Sequence, residues 1–264
     1  MARTVTSADG TGIAFERAGD GPPVILVGGA FNDRTMATGL AAALAPELGG
    51  IAYDRRGRGD SGDAATYAVE REVADIAALI EHVGGRASVF GHSSGAILAL
   101  EAARLGLPID RLAVYEPPYV VGDRRPRPGA DLADRLRALV DADRRDDTVA
   151  LFLTEAVRLP APVVDAMRAE EVWKLYLRLA HTLPYDVAVC GPGNVLRPEP
   201  LARIAVPTLA ISGGRTEPWL TDGTRAVAEA VPGARHVVLE GQDHGVLGDP
   251  GSLRPLLLEF FLSG

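Results

Sequence analysis

Two glycines flank a serine in the segment 91–95, which reads Gly-His-Ser-Ser-Gly. An apolar run at 87–90 precedes this segment, and a stretch with helical periodicity begins near Ser94. A strand that turns sharply into a helix can hold a serine at its apex only where small residues let the backbones approach closely. Ser93 has a glycine two residues away on each side, whereas Ser94 does not. The pattern predicts that Ser93 is a nucleophile.

A serine hydroxyl needs a base that removes its proton during attack. Histidine suits this role because its ordinary pKa, about 6.5, is close to the working pH. The chain has five histidines, at positions 82, 92, 181, 236 and 244. Of these, only His244 lies in a polar loop, Gly-Gln-Asp-His-Gly, after the last predicted strand. We therefore predict that His244 is the base for Ser93.

A carboxylate must fix the orientation of that imidazole and stabilise its charged form. Glu116 directly follows the apolar run 112–115, and the pair Pro117-Pro118 fixes the backbone after it. Side chains at the carboxyl end of a central parallel strand point into the site region of such a sheet. Glu116 is therefore a candidate for the acid, although its position alone does not decide the assignment.

Short apolar runs alternate with longer stretches of helical periodicity along most of the chain. Residues 4–7 and 13–16 flank the turn sequence Asp-Gly-Thr-Gly and predict an opening hairpin. The apolar runs predict strands at residues 24–27, 51–53, 87–90, 112–115, 208–211 and 236–239. The periodic stretches predict helices at residues 36–48, 70–83, 94–104, 132–142, 148–158, 163–179, 220–230 and 253–260. Alternating strands and helices imply crossover connections. We therefore predict an α/β fold with a mostly parallel, doubly wound sheet.

The alternation breaks at Pro117-Pro118 and resumes at residue 208. Residues 119–203 contain predicted helices and no convincing strand. We interpret this stretch as a helical cap inserted after the sixth strand, and residues 1–118 and 204–264 as one core domain. Four cap residues are candidates for a pocket wall over the nucleophile, with core packing as the competing interpretation for the aromatic helix face: Trp173, Tyr176, His181 and Tyr185.

The composition argues against several classes of protein. A net charge of −8 disfavours nucleic-acid binding, which requires a basic surface, so we interpret the arginine-rich segments 55–58 and 124–127 as solvated or locally paired. Cys190 is the only cysteine, which excludes a disulfide within the chain. Signal-peptide, membrane-span, metal-ligand, dinucleotide and phosphate-loop patterns are missing from the sequence. We expect a cytoplasmic protein with no cofactor, no metal, and neither nucleic acid nor membrane as a partner.

Four segments, in this order along the chain, resemble the α/β-hydrolase family. Residues 24–30 resemble its strand and oxyanion loop, although a Gly-Gly pair stands where a His-Gly pair is usual. Residues 53–62 resemble its D-x-R-G-x-G-x-S loop, and residues 91–95 its G-x-S-x-G elbow. Residues 241–245 resemble the loop that carries its catalytic histidine. The resemblance covers nearly the full chain and implies a triad in the order serine, acid, histidine.

The resemblance also implies two places for the acid. Most members carry it after the strand that follows the cap, in a motif like G-x-x-D. That region here reads Gly-Gly-Arg-Thr-Glu-Pro and offers Glu217 if one residue is inserted. Other members use the end of the preceding strand, where Glu116 lies. Glu116 is therefore the first candidate, Glu217 is the alternative acid, and Asp222 is a third possibility.

Two backbone N–H groups must hold the oxyanion of the tetrahedral intermediate. The resemblance implies that Ser94, the residue after the nucleophile, supplies one. The other comes from the loop after the strand 24–27, with Ala30 as the first candidate and Phe31 as the alternative. The imidazole that usually braces this loop is missing, so we expect a nearby polar residue to brace it. The candidates for this bracing are Asn32, Asp33 and Arg34.

These residues predict a cofactor-free serine hydrolase that acts on an ester, thioester or related acyl substrate through an acyl-enzyme. A serine at the elbow argues against epoxide hydrolases and haloalkane dehalogenases, which carry aspartate there. Three alternatives stay open: a perhydrolase, C–C hydrolase or lyase on the same triad; a ligand-binding protein on a hydrolase scaffold; and a tailoring enzyme of secondary metabolism. The expected partner is a small-molecule acyl substrate, and the chain is expected to be a monomer or homodimer.

Overall fold

A computed structural model describes residues 2–263, and their strands form a single sheet. The strands are β1 Arg3–Thr6, β2 Gly12–Ala18, β3 Pro23–Val27, β4 Gly49–Tyr53, β5 Ala87–His92, β6 Ile109–Tyr115, β7 Thr208–Gly213 and β8 Arg235–Leu239. Their order across the sheet is β1-β2-β4-β3-β5-β6-β7-β8. The pairs β1/β2 and β2/β4 are antiparallel, and every other pair is parallel. The predicted mostly parallel α/β fold is confirmed.

Helices connect the parallel strands and also fill a long interval between β6 and β7. The helices are α1 Thr35–Leu44, α2 Val69–His82, α3 Ser94–Arg104, α4 Leu132–Asp141, α5 Arg145–Leu151, α6 Ala161–Met167, α7 Glu171–Leu179, α8 Leu183–Cys190, α9 Pro198–Leu201, α10 Pro218–Ala230 and α11 Pro250–Leu262. Residues 116–207, all of which are described, include α4 to α9 and no strand. We refer to residues 119–203 as the helical insertion.

The side chains of β3 alternate between two hydrophobic clusters on opposite faces of the sheet. Ile25 and Val27 belong to a cluster that includes residues of α2 and α3, whereas Val24 and Leu26 belong to one that includes residues of α1 and α11. Successive side chains of a strand point to opposite faces. A strand covered on both sides therefore requires a continuous apolar run, and β3 supplies one.

The strand order brings the carboxyl ends of β3 and β5 side by side. From β3 the chain moves to β4 on one side, and β5 later lies on the other side of β3. A crevice opens outside the carboxyl ends of parallel strands where the order reverses in this way. The carboxyl ends of β6, β7 and β8 follow along the same edge. Side chains in the loops after these strands can therefore converge.

The helical insertion has a hydrophobic cluster of its own. Buried residues of α4 to α8 form this cluster, and Trp173 of α7 is one of its large side chains. Ala30 and Phe31, from the loop after β3, pack against the same cluster. This contact sets the insertion against the carboxyl edge of the sheet.

The helix predicted at 36–48 is wrong at its carboxyl end, because α1 stops at Leu44. Pro46 lies two residues later. A proline inside a helix cannot donate the backbone hydrogen bond, and its ring collides with the preceding turn. The chain leaves the helix at Ala45 instead, whose N–H donates to the Ala42 carbonyl at 3.3 Å.

The single helix predicted at 163–179 is also wrong, because α6 ends at Met167 and α7 begins at Glu171. Val164 and Trp173 are both buried in the cluster of the insertion. Residues nine positions apart lie on opposite faces of a straight helix, since one turn takes about 3.6 residues. The break between α6 and α7 lets both side chains face the cluster. The helix predicted at 148–158 is not a single α-helix: α5 ends at Leu151 and a π-helical segment follows at Phe152–Val157.

Candidate active site

Ser93 lies at the apex of a tight turn between β5 and α3, with φ 57° and ψ −127°. Few residues other than glycine adopt a positive φ, so this backbone is strained. A Cβ atom added to Gly91 would lie 2.6 Å from the Ala96 Cα, and one added to Gly95 would meet the carbonyl oxygens of Val27 and Gly28. Both glycines are therefore required by close backbone approach, which is the physical content of the G-x-S-x-G pattern.

His244 lies in the loop after β8, with its Nε2 atom 3.1 Å from the Ser93 Oγ atom. Two hydrogen bonds from residues of β6 and β5 hold this loop. The Tyr115 hydroxyl donates to the Asp243 carbonyl at 2.7 Å, and His92 Nε2 lies 2.8 Å from the His244 carbonyl oxygen. The His244 side chain is 41% exposed. The imidazole is thus fixed by its backbone yet open to a molecule arriving from solvent.

The imidazole of His92 stays neutral beneath this loop. Burial lowers its pKa to about 3, and the neighbouring His244 contributes in the same direction. A carbonyl oxygen only accepts hydrogen bonds, so the neutral ring carries its hydrogen on Nε2 and donates to the His244 carbonyl. His92 therefore supports the position of His244 without carrying a charge.

Glu116 follows β6, is fully buried, and is held by three hydrogen bonds. Its Oε1 atom accepts from the Gly213 N–H at 2.7 Å. Its Oε2 atom accepts from the Thr216 hydroxyl at 3.2 Å and lies 2.6 Å from His244 Nδ1. The φ of 46° at Glu116 is in the left-handed region, where the chain turns out of the strand. The structure therefore brings Ser93, His244 and Glu116 into one hydrogen-bonded chain.

The alternative acids lie elsewhere. Glu217 is an exposed residue, and its backbone carbonyl accepts from the Leu220 N–H in the first turn of α10. Asp222 pairs with Arg124, with 2.6 Å between its Oδ2 atom and the guanidinium Nε. Among the described contacts, the carboxylate that reaches His244 belongs to Glu116.

The hydrogen-bond partners fix the roles of the two imidazole nitrogens in His244. A carboxylate only accepts, so Nδ1 carries the hydrogen that points at Glu116. Nε2 then has a free lone pair directed at the Ser93 hydroxyl. In this arrangement the imidazole can take the hydroxyl proton while the buried carboxylate stabilises the imidazolium that forms.

The loop after β3 passes directly over the turn that holds Ser93. A Cβ atom added to Gly29 would lie 2.8 Å from the Ser93 Cβ, so only glycine allows this approach. Ala30 and Phe31 form the turn that follows, and the N–H groups of both have no hydrogen-bond acceptor among residues 2–263. Ser94 begins α3, where backbone N–H groups have no partner within the helix. N–H groups without an acceptor therefore occur in the loop after β3 and at the start of α3, the two segments next to Ser93.

The three residues expected to brace this loop do different things. Asn32 closes the turn, since its Oδ1 atom accepts from the Gly29 N–H at 3.3 Å. Asp33 accepts from the Thr35 N–H at 2.9 Å at the start of α1. Arg34 pairs with Asp54 and with other carboxylates. Of the three, Asn32 is the one that bonds the loop beside Ser93.

The arginine-rich segment 55–58 is not solvated, so that interpretation is wrong. Its three arginines, at positions 55, 56 and 58, are 2%, 1% and 1% exposed. Nor are they locally paired, because their carboxylate partners lie 17 to 131 positions away in the sequence. In the other segment, Arg125 is also buried and its guanidinium stacks on the Trp219 ring at 3.9 Å.

Asp186 on α8 is a buried residue that the sequence analysis missed. Its carboxylate bonds Arg55 at 2.7 Å and Arg58 at 2.8 Å, and it accepts from the Ser94 hydroxyl at 2.7 Å. Burial alone would raise the pKa of Asp186, but the charges of Arg58 and Arg55 outweigh this effect and lower it. One signal was available: Asp186 is the single charged residue in the otherwise apolar run 183–190.

The four candidates for a pocket wall lie in different surroundings in the structure. The Tyr176 ring stacks on Phe31 with 4.0 Å between ring centroids, beside the loop of free amides. Trp173 is buried in the insertion, where its indole N–H donates to Asp146 at 2.7 Å. His181 bonds the Gly57 carbonyl, and Tyr185 stacks on Tyr67. Of these candidates, the contact with the loop beside Ser93 belongs to Tyr176.

Within residues 2–263, no group of three or more His, Cys, Asp or Glu side chains is arranged to hold a metal ion. In the same range, no helix is long and apolar enough to cross a membrane.

Comparison with known proteins identifies similar chains over the whole length. The sequence profile of the alpha/beta hydrolase family matches residues 24–254. A crystal structure of an alpha/beta hydrolase from Sphaerobacter thermophilus is 50% identical, with a TM-score of 0.91 over 98% of this chain and 100% of that one.

Two further similar proteins are named for an enzymatic activity. The chain is 29% identical to a non-heme chloroperoxidase of Kitasatospora aureofaciens, over 97% of this chain and 98% of that protein. An esterase from Exiguobacterium antarcticum has a TM-score of 0.75 and 21% identity, with 100% of both chains covered. At that identity the likeness to the esterase concerns the fold alone.

Proposed function

Because the chain belongs to the alpha/beta hydrolase family, we propose that it is a cofactor-free serine hydrolase acting on an ester, thioester or related acyl substrate. The observation that carries this proposal is the chain of hydrogen bonds from Glu116 through His244 to Ser93, with distances of 2.6 and 3.1 Å. Nucleophile, base and acid with these spacings form the arrangement that activates a serine for acyl transfer.

The proposed reaction follows from these positions. His244 Nε2 takes the hydroxyl proton as Ser93 Oγ attacks the carbonyl carbon, and the carbonyl oxygen becomes an oxyanion. The N–H of Ser94 and that of Ala30, with Phe31 as the alternative, hold the oxyanion. His244 then gives its proton to the departing alcohol or thiol. Water attacks the acyl-enzyme by the same steps and releases the acid.

We propose that the helical insertion, residues 119–203, serves as a cap that shapes the pocket for the acyl group. Tyr176 on α7 supports this role, since its ring stacks on Phe31 beside the proposed oxyanion loop. The apolar and aromatic character of this contact favours a small organic acyl group over a highly charged one.

The similarity to a non-heme chloroperoxidase favours a second candidate activity on the same triad. In this reaction hydrogen peroxide, in place of water, attacks the acyl-enzyme. The new O–C bond forms as the Ser93 O–C bond breaks, the proton returns to the serine oxygen through His244, and a peracid leaves. The peracid can then oxidise a halide ion in solution, with no metal involved.

The decisive experiment removes the Ser93 hydroxyl. We expect Ser93→Ala to lower kcat/KM for p-nitrophenyl acetate at least about 10³-fold and to abolish labelling by a fluorophosphonate. Ser252→Ala, at the start of α11, is the matched control and should keep both activities. Esterase activity retained by a folded Ser93→Ala variant would rule out the proposal.

A second assay, with hydrogen peroxide, distinguishes the two candidate activities, ester hydrolysis and perhydrolysis. The wild-type protein is incubated with acetate, hydrogen peroxide and bromide; the peracid oxidises bromide, and the product is measured through bromination of monochlorodimedone. A peracid rate that exceeds the hydrolytic rate and is lost in Ser93→Ala would favour the perhydrolase. Hydrolysis without peracid would favour the esterase.

A further inference from the structure

The amides proposed to hold the oxyanion are connected to one buried carboxylate, that of Asp186 on α8. Its side chain is 2% exposed. Its Oδ1 atom accepts from the Ser94 hydroxyl at 2.7 Å, and Ser94 is the residue that follows the nucleophile. Its Oδ2 atom accepts from Arg58 Nη2 at 2.8 Å. Asp186 therefore bonds directly to Ser94, one of the two proposed amide donors, and it also bonds Arg58, which contacts the loop that carries the other donor.

Arg58 bonds the loop after β3 at two carbonyl groups. Its Nη1 atom donates to the Gly29 carbonyl at 2.5 Å and to the Asn32 carbonyl at 3.0 Å. The Gly29 carbonyl belongs to the same planar peptide group as the Ala30 N–H. In a trans peptide these two groups point in opposite directions. By holding the carbonyl, Arg58 directs the Ala30 N–H away from itself.

Asp186 is what allows Arg58 to lie in this position. A buried guanidinium is costly unless an opposite charge and hydrogen-bond acceptors surround it. Arg55 shares the same carboxylate at 2.7 Å and also donates to the Gly28 carbonyl at 3.3 Å. Loss of the Asp186 charge would therefore leave Arg58 with the carbonyls of Gly29 and Asn32 as its acceptors, whereas Arg55 would keep its pair with Glu72 at 2.6 Å.

We infer that Asp186 is a positioning residue of the oxyanion hole: through the Ser94 hydroxyl and through Arg58 it orients both proposed amide donors. It does so from the helical insertion, so part of the alignment of the hole comes from outside the sheet. The inference rests on the proposed function, because it concerns the same Ser93-dependent acyl transfer.

The test compares two variants with one matched control. Asp186→Asn removes the charge and keeps the shape, and Ser94→Ala removes one hydroxyl with little effect on folding. Asp75→Asn is the control, because Asp75 is equally buried and pairs with Arg56 at 2.7 Å but forms no hydrogen bond with residues 28–34, the loop after β3. All rates are expressed per site labelled by the fluorophosphonate, so that misfolded molecules do not count.

The readout is specific for the oxyanion. An alkyl trifluoromethyl ketone adds to Ser93 Oγ, its C=O π bond opens to an alkoxide, and the hydroxyl proton moves to His244. This hemiketal needs the oxyanion hole. The KM for p-nitrophenyl acetate stays nearly constant when acylation and deacylation, which both pass through an oxyanion, slow by the same factor. The inhibition constant Ki for the ketone and the kcat for the ester are therefore measured side by side.

We expect Asp186→Asn to lower kcat by about 10- to 100-fold, somewhat less than the loss of a whole donor, and to raise Ki by a similar factor. KM should change less than about threefold. Ser94→Ala should move kcat and Ki in the same directions, by about three- to tenfold. The Asp75→Asn control should lose stability yet keep kcat and Ki.

Two results would overturn this inference and leave the proposed function standing. The first is that Ser94→Ala and labelled Asp186→Asn both keep the Ki and kcat of the wild type. The second is that Asp75→Asn loses as much kcat and inhibitor affinity as Asp186→Asn. A wild-type protein without Ser93-dependent ester turnover would instead remove the proposed function, and the inference would fall with it. Ester turnover by the wild type and by Ser93→Ala is therefore measured before the other variants are compared, and it distinguishes these cases.

Discussion

The Glu116 carboxylate uses both of its oxygens as acceptors. Oε1 accepts from the Gly213 N–H, and Oε2 from the Thr216 hydroxyl and His244 Nδ1. A glutamine has only one acceptor oxygen on its terminal amide. Its NH₂ group would therefore face either the Gly213 N–H or the His244 N–H, and no rotation of the amide avoids this conflict.

We therefore expect Glu116→Gln to lower kcat for p-nitrophenyl acetate by up to about 10⁴-fold with little change in KM, because the imidazole loses its orientation and its counter-charge. The measurement is steady-state kinetics on protein whose fold is checked by circular dichroism. Glu217→Gln is the matched control and should retain kcat, since Glu217 is exposed at the start of α10. If Glu217→Gln lost kcat and Glu116→Gln kept it, the catalytic acid would be Glu217 and not Glu116.

His92 predicts a dependence of stability on pH. Its pKa is lowered from 6.5 to about 3 by burial, so between these values the unfolded chain binds the extra proton. Stability from neutral His92 is present above pH 6.5 and is lost as the pH falls toward 3. The wild-type protein should lose about 2 kcal/mol from this group between pH 7 and pH 5.

The variant His92→Gln isolates this contribution, because the amide can donate to the His244 carbonyl without titrating. We expect its free energy of unfolding in urea to fall less than that of the wild type between pH 7 and pH 5, by about 2 kcal/mol. Parallel curves for the two proteins would mean that His92 is not held neutral by burial.

Local sequence sufficed to select Ser93 and His244 as candidates, because a pair of glycines and a polar loop are local features. It did not suffice for the acid. Glu116 lies 128 positions from His244, and Glu217 has the same chemistry. Only the placement of β6 beside β7 determines which carboxylate reaches the imidazole. Asp186 stayed hidden because its partners Arg55 and Ser94 lie 131 and 92 positions away.

At the scale of elements, the strands were easier to predict than the helices. Each strand of the sheet overlaps a predicted strand. The strands β4, β5 and β7 are buried along their whole length, and burial on both faces requires a continuous apolar run that is visible in the sequence. The insertion helices α4, α6 and α7 each bury only one or two residues, and periodicity does not reveal where such helices break. The helix predicted at 163–179 spans the break between α6 and α7. The short helices α8 and α9 were not predicted.

The break between α6 and α7 lets Trp173 face the hydrophobic cluster of the insertion, so the contribution of Trp173 to stability tests it. Its ring is 3% exposed in the cluster of the insertion, and its N–H bonds Asp146. We expect Trp173→Ala to lower the free energy of unfolding by about 3–5 kcal/mol, measured in urea. Trp219→Ala should cost less, because Trp219 is partly exposed. Equal losses would mean that Trp173 does not anchor the insertion.

At the scale of the whole molecule, ion pairs connect the insertion to the sheet domain. Asp186 comes from the insertion, whereas Arg55 and Arg58 come from the loop after β4. The Tyr185 ring adds a stacked contact with Tyr67, 4.0 Å between centroids. If the insertion unfolded alone, two buried arginines would lose a shared partner. Breaking one side of a buried pair costs about 3–5 kcal/mol, which favours unfolding of the whole chain together.

We therefore expect the insertion and the sheet to unfold in a single transition that Asp186 maintains. In a Trp219→Phe background, Trp173 is the only tryptophan and its fluorescence follows the insertion, while far-ultraviolet circular dichroism follows the whole fold. The two urea midpoints should coincide. Adding Asp186→Asn should shift the fluorescence midpoint to lower urea than the circular dichroism midpoint, because the insertion loses its charged link. Separate midpoints with Asp186 intact would refute the coupling.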